Sequence, residues 1–539
     1  MSGVLANRMK NVLPYIIGED QKGFIKGRFI GENTRVPYDV MEYLIHSKKV
    51  GLLLLIDFEK AFDSLKFSYI REILNKYNFG ETYISWFNLI YKDVKSCVIN
   101  NGFVSNFFKV NRGCRQGDPW SAYLFILCVE PLAQAIKNSR CINGIEIKNK
   151  IYKIGQYADD TFILLDGTEQ SLRNCLLLLE RYALCSGLKL NIDKTNVVWL
   201  GTKVKCNDIL CPDISLKWVH NFKLLGIYFT SDLMGMLRMN YDQHLMKVEN
   251  ILKAYGKRHL SLMGKVTVIK TLIVPMFVHA LTVLPAPEKQ FYTIFNRLTR
   301  EFLWKNGRVM VSFENLSKDI EHGGLKLTNI EELSKALKIT WIKRIYTSEG
   351  SWQNLVKAIL GESENEQIWE LDPVSLVEYS KKMSNRFWKE VISDWAQYIL
   401  SLEKNNLILQ YPIWNGFFLK NENLKRIKQD FIGYGCRKVQ DLFNVNEKRM
   451  YNYNEFCEKY GRLNVLDYMS LIQSIPQQWK TYLINAEFDN FVDGHVMPAH
   501  LIKLIQTEKV CKYVYWSLMY KKTKKNNYTN ELKWRYFKY

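Results

Sequence analysis

Ile154-Gly-Gln-Tyr157-Ala-Asp-Asp160-Thr-Phe-Ile-Leu-Leu165 is the stretch on which the fold turns. Two apolar runs, Ile154–Tyr157 and Phe162–Leu165, flank Ala158-Asp159-Asp160, which reads as strand, tight turn, strand. Upstream, Gly51-Leu-Leu-Leu-Leu-Ile-Asp57 is a short continuous apolar run that ends in an acid and reads as a buried strand. Carboxylates thus fall at the ends of two strand-forming segments about a hundred residues apart in sequence.

Working outward, Phe67, Ile70, Leu74 and Tyr77 recur at helical spacing, with Gly80 as a stop. Ser96–Ile99 and Ser105–Val110 flank Asn100-Asn101-Gly102, a hairpin signal. Trp120–Lys137 reads as a long apolar helix entered after Pro119. Leu172, Cys175, Leu176, Leu179 and Ala183 form a helical stripe that Gly187 closes. Leu188–Ile192, Asn196–Leu200 and Leu224–Phe229 read as further strands. The order predicts an α+β layer, with helices packed on one face of an antiparallel sheet. Beyond about residue 236 the pattern turns mostly helical.

Composition sets the class. The chain has 539 residues, 47% of them apolar, and a net charge of +21. That excludes a disordered chain and predicts two to four packed units at roughly 100–200 residues each. A positive excess this large points to a polyanionic partner, nucleic acid or an anionic membrane. The excess is uneven: +3 over 1–50, +4 over 51–235, +9 over 236–345 and +5 over 346–539, with +6 lying in 517–539 alone. The longest apolar stretch, Leu272–Pro287, is interrupted by Pro275, His279 and Pro285 and is shorter than the roughly 20 residues a spanning helix needs. No membrane partner is therefore expected. Met1–Pro14 has no apolar signal-peptide core. The 11 cysteines are scattered without a C-x-x-C pair. They predict neither a disulfide framework nor a zinc site, so nucleus or cytoplasm is expected, not secretion.

Two features carry chemistry. Asp57 alone reads first as a turn or helix-capping residue, and Asp159-Asp160 alone first as an ordinary hairpin turn. Taken together they are acids beside buried strands, which repel one another unless a cation lies between them. Mg²⁺ takes carboxylate and phosphate oxygens together, and two such ions about 4 Å apart support in-line phosphoryl transfer. The second feature is Gly113-Cys-Arg-Gln-Gly-Asp-Pro119, ahead of the long helix. Its glycines let backbone approach a ligand closely, and Gln116 offers a donor and an acceptor to a sugar or base edge. Many such turns bind nothing.

In order and wording these motifs resemble the reverse transcriptase of LINE-type (non-LTR) retrotransposons. Leu55-Ile-Asp-Phe-Glu-Lys-Ala-Phe-Asp63 resembles the first palm motif, Arg115-Gln-Gly-Asp-Pro119 the template-and-nucleotide motif, and Tyr157-Ala-Asp-Asp160 the metal-binding hairpin. Gly187-Leu-Lys-Leu-Asn-Ile-Asp-Lys-Thr195 is similar to the motif that follows, and Phe222-Lys-Leu-Leu-Gly226 to the primer grip. Gln21-Lys-Gly-Phe-Ile-Lys-Gly-Arg28 is similar to a fingers segment. Trp304-Lys-Asn-Gly307, Gly323-Gly-Leu-Lys-Leu327, Ala336–Arg344 and Tyr515–Tyr520 resemble the region after the palm.

The resemblance implies a right-hand polymerase fold. Residues 1–50 would be partial fingers, 51–235 an antiparallel-sheet palm, 236–345 a basic helical thumb and 346–539 a mostly helical C-terminal region. It implies RNA-directed DNA polymerisation on an RNA template and DNA primer, with dNTPs and two Mg²⁺ ions, Mn²⁺ being able to substitute. Asp57 and Asp159 would be the metal ligands, with Asp160 assisting. Phe58, Arg115, Gln116 and Gly117 would line the nucleotide site, and Phe62 would stand at the steric gate that favours dNTPs. Lys194 would donate a proton to the leaving pyrophosphate. Leu224, Leu225 and Gly226 would hold the primer end. Lys257, Arg258, Lys265 and Lys270 would meet the nucleic-acid backbone, and Trp516, Tyr520, Tyr528, Trp534 and Tyr536 would stack single-stranded bases. Against the family pattern, the chain is expected to lack an upstream fingers strand, an endonuclease and a terminal Cys/His segment. The alternatives are a catalytically inactive nucleic-acid-binding remnant and another palm-type enzyme such as a nucleotide cyclase. The Arg-Gln-Gly-Asp-Pro motif and the basic thumb speak against the cyclase.

Overall fold

The computed structural model describes residues 1–361 except 231, 306 and 349, and beyond them 368, 373–401, 436, 439–444, 447–461, 464–475, 477–485 and 499–524. The chain divides into two compact units, Met1–Gln243 with Glu349–Ile359, and His244–Ser348 with Leu360–Tyr539.

The first unit is built on β1 (Val50–Ile56), whose unbroken run of aliphatic residues belongs in the middle of a sheet. It pairs antiparallel with β3 (Asp160–Leu165) on one side and β4 (Asn196–Gly201) on the other, so that Leu54 lies opposite both Ile163 and Val197. β2 (Ile154–Tyr157) completes one edge as a hairpin with β3. The short β5 (Lys217–Trp218) forms the other edge and runs parallel to β4, a departure from the all-antiparallel sheet expected.

Helices cover both faces of the sheet, where one had been expected. Leu52, Leu54 and Ile56 join a core shared with α1 (Ser2–Ile16), α3 (Phe67–Lys76), α5 (Ser121–Asn138) and α6 (Glu169–Ser186). Leu53 and Leu55 are buried on the opposite side, where α2 (Ile30–His46) packs on the sheet. The signal was present in β1 itself: a strand covered on one face alternates, whereas this one does not. α1 and α5 tolerate Pro14 and Pro131 within their spans.

Three local expectations also change. Gly80 opens a helix instead of closing one: α3 ends at Lys76, and Gly80 is the N-cap of α4 (Glu81–Ile90). Leu188–Ile192 is not a strand, and only Leu190 makes an isolated bridge, to Phe58. Leu224–Phe229 is not one strand but part of a hairpin, Phe222–Leu224 against Ile227–Phe229. Its two-residue turn, Leu225-Gly226, has φ of 48° and 85°, as such turns require. The Asn101-Gly102 hairpin forms as expected, with Ile99–Asn100 paired to Phe103–Val104.

The second unit is mainly helical. Trp341, within Ile330–Thr347, is buried and donates its indole N–H to the Thr282 carbonyl at 2.7 Å. The buried Lys338 pairs with Glu390, whose carboxylate also accepts the Ala286 N–H at 2.6 Å. Among the described residues no single helix is long and apolar enough to cross a membrane. Leu262–Ile273 and Pro275–Val283 qualify together by length and composition, but bend by 45°. The bend follows from Pro275 and the π-helical turn Ile269–Ile273. Ile269, Ile273, Phe277 and Leu281 on this pair are buried.

Candidate active site

Asp57 stands where β1 leaves the sheet, and its backbone is held on both sides by the segment after Gly187. The Asn191 N–H donates to the Asp57 carbonyl at 2.8 Å, and the Glu59 N–H to the Lys189 carbonyl at 2.9 Å. These bonds bring Lys194 close, with its Nζ 3.9 Å from an Asp57 carboxylate oxygen. Asp159 lies exposed in the β2–β3 turn, and Asp160 opens β3 opposite Tyr157. Burial first, then the charges of Asp159 and Asp57, push the Asp160 carboxyl above the usual carboxylate range. Strand register brings the acids together: Ile56 lies opposite Thr161, so Asp57 follows β1 beside the residue that opens β3. Among the described residues no three Asp, Glu, His or Cys side chains cluster tightly enough to cage an ion by themselves. Mg²⁺ characteristically takes one or two carboxylates and completes its shell with water and substrate phosphates, so this donor set fits it.

The Gly113–Pro119 segment docks beside Asp57 through the turn of helix Ala61–Ser64. The Cys114 N–H donates to the Phe62 carbonyl at 2.6 Å and the Gly113 N–H to the Leu65 carbonyl at 2.7 Å. At φ 99° a side chain on Gly113 would place its Cβ 2.9 Å from the Asp63 carbonyl oxygen, so this approach requires glycine. Phe62 is half-buried and stacks on Phe125, ring centroids 4.3 Å apart. Gln116 is exposed and reaches the Asp63 carboxylate at 3.5 Å. Gly117 is exposed at φ 84° with open space about it. Arg115 donates to the Ile90 carbonyl at 2.9 Å, at the C-terminus of α4, where a cation is favoured. Phe58 differs from expectation: its backbone bridges Leu190 and its ring is buried in the core, so the side chain does not line an open nucleotide site.

Residues 1–229 match the sequence profile of the family described as reverse transcriptase (RNA-dependent DNA polymerase). Residues 1–229 are a reverse transcriptase domain. The chain is 25% identical over 514 residues to the Transposon TX1 uncharacterized 149 kDa protein of Xenopus laevis, covering 90% of this chain and 38% of that one. It is 26% identical over 292 residues to the retrovirus-related Pol polyprotein from the type-2 retrotransposable element R2DM of Drosophila melanogaster, covering 52% and 26%. The chain thus spans under two fifths of these curated relatives. A telomerase structure from Candida tropicalis, in complex with a fragment of telomeric RNA, aligns at 12% identity over 66% of this chain and 55% of that one. Its TM-score is 0.33, too low to bear on the fold. The LINE-type family read from the motifs is borne out.

In the reverse transcriptase domain the expected primer-grip residues sit at a hairpin tip, with Leu224 buried, Leu225 half-buried and Gly226 exposed. Beyond the domain, Lys257, Arg258 and Lys270 are exposed, Arg258 lying over the Tyr255 ring at 4.6 Å. Lys265 corrects the expectation. It is buried and donates to the Leu303 carbonyl at 2.7 Å, near the end of helix Lys289–Trp304, so it is spent on a helix terminus. Trp516 lies in helix Val510–Lys524, whereas Tyr528, Trp534, Tyr536 and the side chain of Tyr520 lie outside the described residues. Sequence reasoning assigned no role to Gln21, yet its amide bonds directly to Ala158 in the turn that carries Asp159. Only the motif wording around Gln21 hinted at it, since the partner lies 137 residues away.

Proposed function

We propose that the chain is an RNA-directed DNA polymerase that extends a primer 3′-OH with dNTPs on an RNA template. The observation that carries this is the meeting of Asp57, Asp159 and Asp160 at one end of the palm sheet, where Ile56 pairs with Thr161 and Tyr157 with Asp160. Asp57 and Asp159 would hold the divalent cations. When bound, such ions activate the attacking hydroxyl and neutralise the triphosphate. The chain's own groups do the rest. Phe62, braced by Phe125, would close the floor beneath the sugar and exclude a 2′-OH. Gln116 would sit against the incoming nucleotide and its template base. Lys194, with its Nζ 3.9 Å from Asp57, would donate a proton to departing pyrophosphate. The exposed cations of 236–345 would follow the template–primer backbone as a thumb.

Primer extension on an RNA template with Mg²⁺ tests this. The native chain is expected to incorporate dNTPs, and Asp159→Ala to lose at least about 10²-fold of that rate. Incorporation unchanged by Asp159→Ala overturns the proposal. Salt-steep RNA binding with no incorporation by the native chain would make it a binding remnant.

A further inference from the structure

We propose that Gln21 is a positioning residue for Asp159, holding the turn that carries this carboxylate in place. The proposal rests on the polymerase reading for its kinetic consequence, though not for its geometry.

Residues 20–22 lie along the free edge of β2. Gln21 and Gln156 form a parallel bridge, the Lys22 N–H donates to the Gln156 carbonyl at 2.8 Å, and the Gln156 N–H to the Asp20 carbonyl at 2.9 Å. Asn33 adds a bond to the same Gln156 carbonyl at 2.5 Å. The Gln21 side chain, 1% exposed, then reaches past the strand end into the turn. Its Oε1 accepts the Ala158 N–H at 2.8 Å and the Gly23 N–H at 2.9 Å, and its Nε2 faces the Ala158 carbonyl at 3.4 Å.

Ala158 needs such a brace. Its φ is 57°, a left-handed conformation in which a Cβ crowds the following carbonyl oxygen. Were the brace removed, the two peptides flanking Ala158 would be free to rotate and re-aim the Asp159 carboxylate. The fit is close: a Cβ on Gly23 would stand 2.6 Å from the Ala158 nitrogen. The brace is itself anchored. Arg28 donates to the carbonyls of Gln21 at 2.7 Å, Gly18 at 2.5 Å and Ile17 at 2.7 Å, tying Gln21 to the end of α1. One run of bonds thus leads from α1 through Arg28 and Gln21 to the peptide preceding Asp159.

The test compares the native full chain with Gln21→Met, Gln21→Glu and Gly23→Ala. Amide hydrogen exchange across 155–161 reads the brace directly, and primer extension over a Mg²⁺ titration reads its consequence. In Gln21→Met, exchange at Ala158 should quicken by about tenfold or more and kcat should fall by about tenfold. The half-saturating Mg²⁺ should rise, while KM for primer–template stays unchanged. Gln21→Glu keeps both accepted N–H bonds but not the donor to the Ala158 carbonyl, so it should recover part of the loss, and more as the pH falls and its carboxyl can donate in the amide's place. Gly23→Ala should reproduce the Gln21→Met pattern. Native exchange, kcat and Mg²⁺ dependence in Gln21→Met overturn the proposal, as does an equal loss in the Glu variant. Should Gln21→Met not fold, native kinetics in Gly23→Ala overturn it instead. If the native chain incorporates nothing, the polymerase reading fails by itself. Exchange at Ala158 then decides the brace: quickened in Gln21→Met supports it, unchanged refutes it.

Discussion

The ammonium of Lys194 stands 3.9 Å from a carboxylate oxygen of Asp57, and both side chains are substantially open to solvent. An exposed pair of this kind contributes about 0–1 kcal/mol to stability. Lys194→Ala should therefore leave thermal unfolding nearly unmoved while cutting primer extension by about 10²-fold, the scale of a lost proton donor. Lys194→Arg should not restore it, since a guanidinium does not release its proton. Extension within about threefold of native in Lys194→Ala removes the residue from the chemistry.

Phe62 is placed by its stack on Phe125 and not by its own backbone alone. Phe62→Val should open the space beneath the sugar and lower the preference for dNTPs over rNTPs by about tenfold or more. The lost stack should cost about 1 kcal/mol. Competitive incorporation of paired dNTP and rNTP substrates measures this, and an unchanged ratio refutes the gate.

Asp160 has a sign that can be worked out. Its carboxyl is raised in the folded state, by burial first and then by Asp159 and Asp57. It therefore binds its proton more tightly folded than unfolded, and stability falls as pH climbs from the unfolded value of about 3.9 through the folded one. Asp160→Asn should abolish this fall and raise the melting temperature at neutral pH. Mg²⁺ should also raise it in the native chain, because binding to the folded state alone stabilises that state. Melting curves from about pH 4 to about pH 8, with and without Mg²⁺, decide the matter. A native chain indifferent to both pH and Mg²⁺ contradicts the assignment.

Lys265 should behave unlike its neighbours. Lys265→Ala removes a buried cation from the Leu303 carbonyl and should destabilise the fold by about 1–3 kcal/mol without altering the salt dependence of RNA binding. Lys257, Arg258 and Lys270 are exposed, and alanine at each should reduce the slope of log affinity against log salt by about 1 while sparing stability. The reverse pattern would mean that the burial of Lys265 has no bearing on its role.

What the sequence revealed, it revealed locally. β1, the β2–β3 hairpin and the Asn101-Gly102 turn each announce themselves through neighbouring residues, as does the capping of α6 by Gly187. The acids were legible because a carboxylate at the end of an apolar run demands an explanation. Phe58 escaped, because alternation past the strand end does not say which way a ring turns. Lys265 escaped too: a lysine in a basic stretch looks solvated until a helix end 38 residues away supplies a carbonyl. Gln21 was quoted within a motif but given no chemistry, since its partner is a backbone amide that no side-chain pattern encodes.

Leu52 to Leu55 are four identical side chains in succession, paired on both flanks and covered above and below. Sliding such a strand by one position exchanges leucine for leucine, so its interior cannot choose an alignment. The ends choose it. A one-residue slip either way brings a Cβ into the place of Gly51, 2.9 Å from the tips of the Leu44 and Ile145 side chains, which would have to move aside. Slippage that carries Leu52 into that place would also drag Asp57 into the apolar position of Ile56, at the cost of an uncompensated buried charge. The carboxylate assigned to catalysis is thus also a ratchet tooth for folding. A variant that silences it with an apolar residue would lose, besides its reactivity, the penalty that keeps the central strand in step.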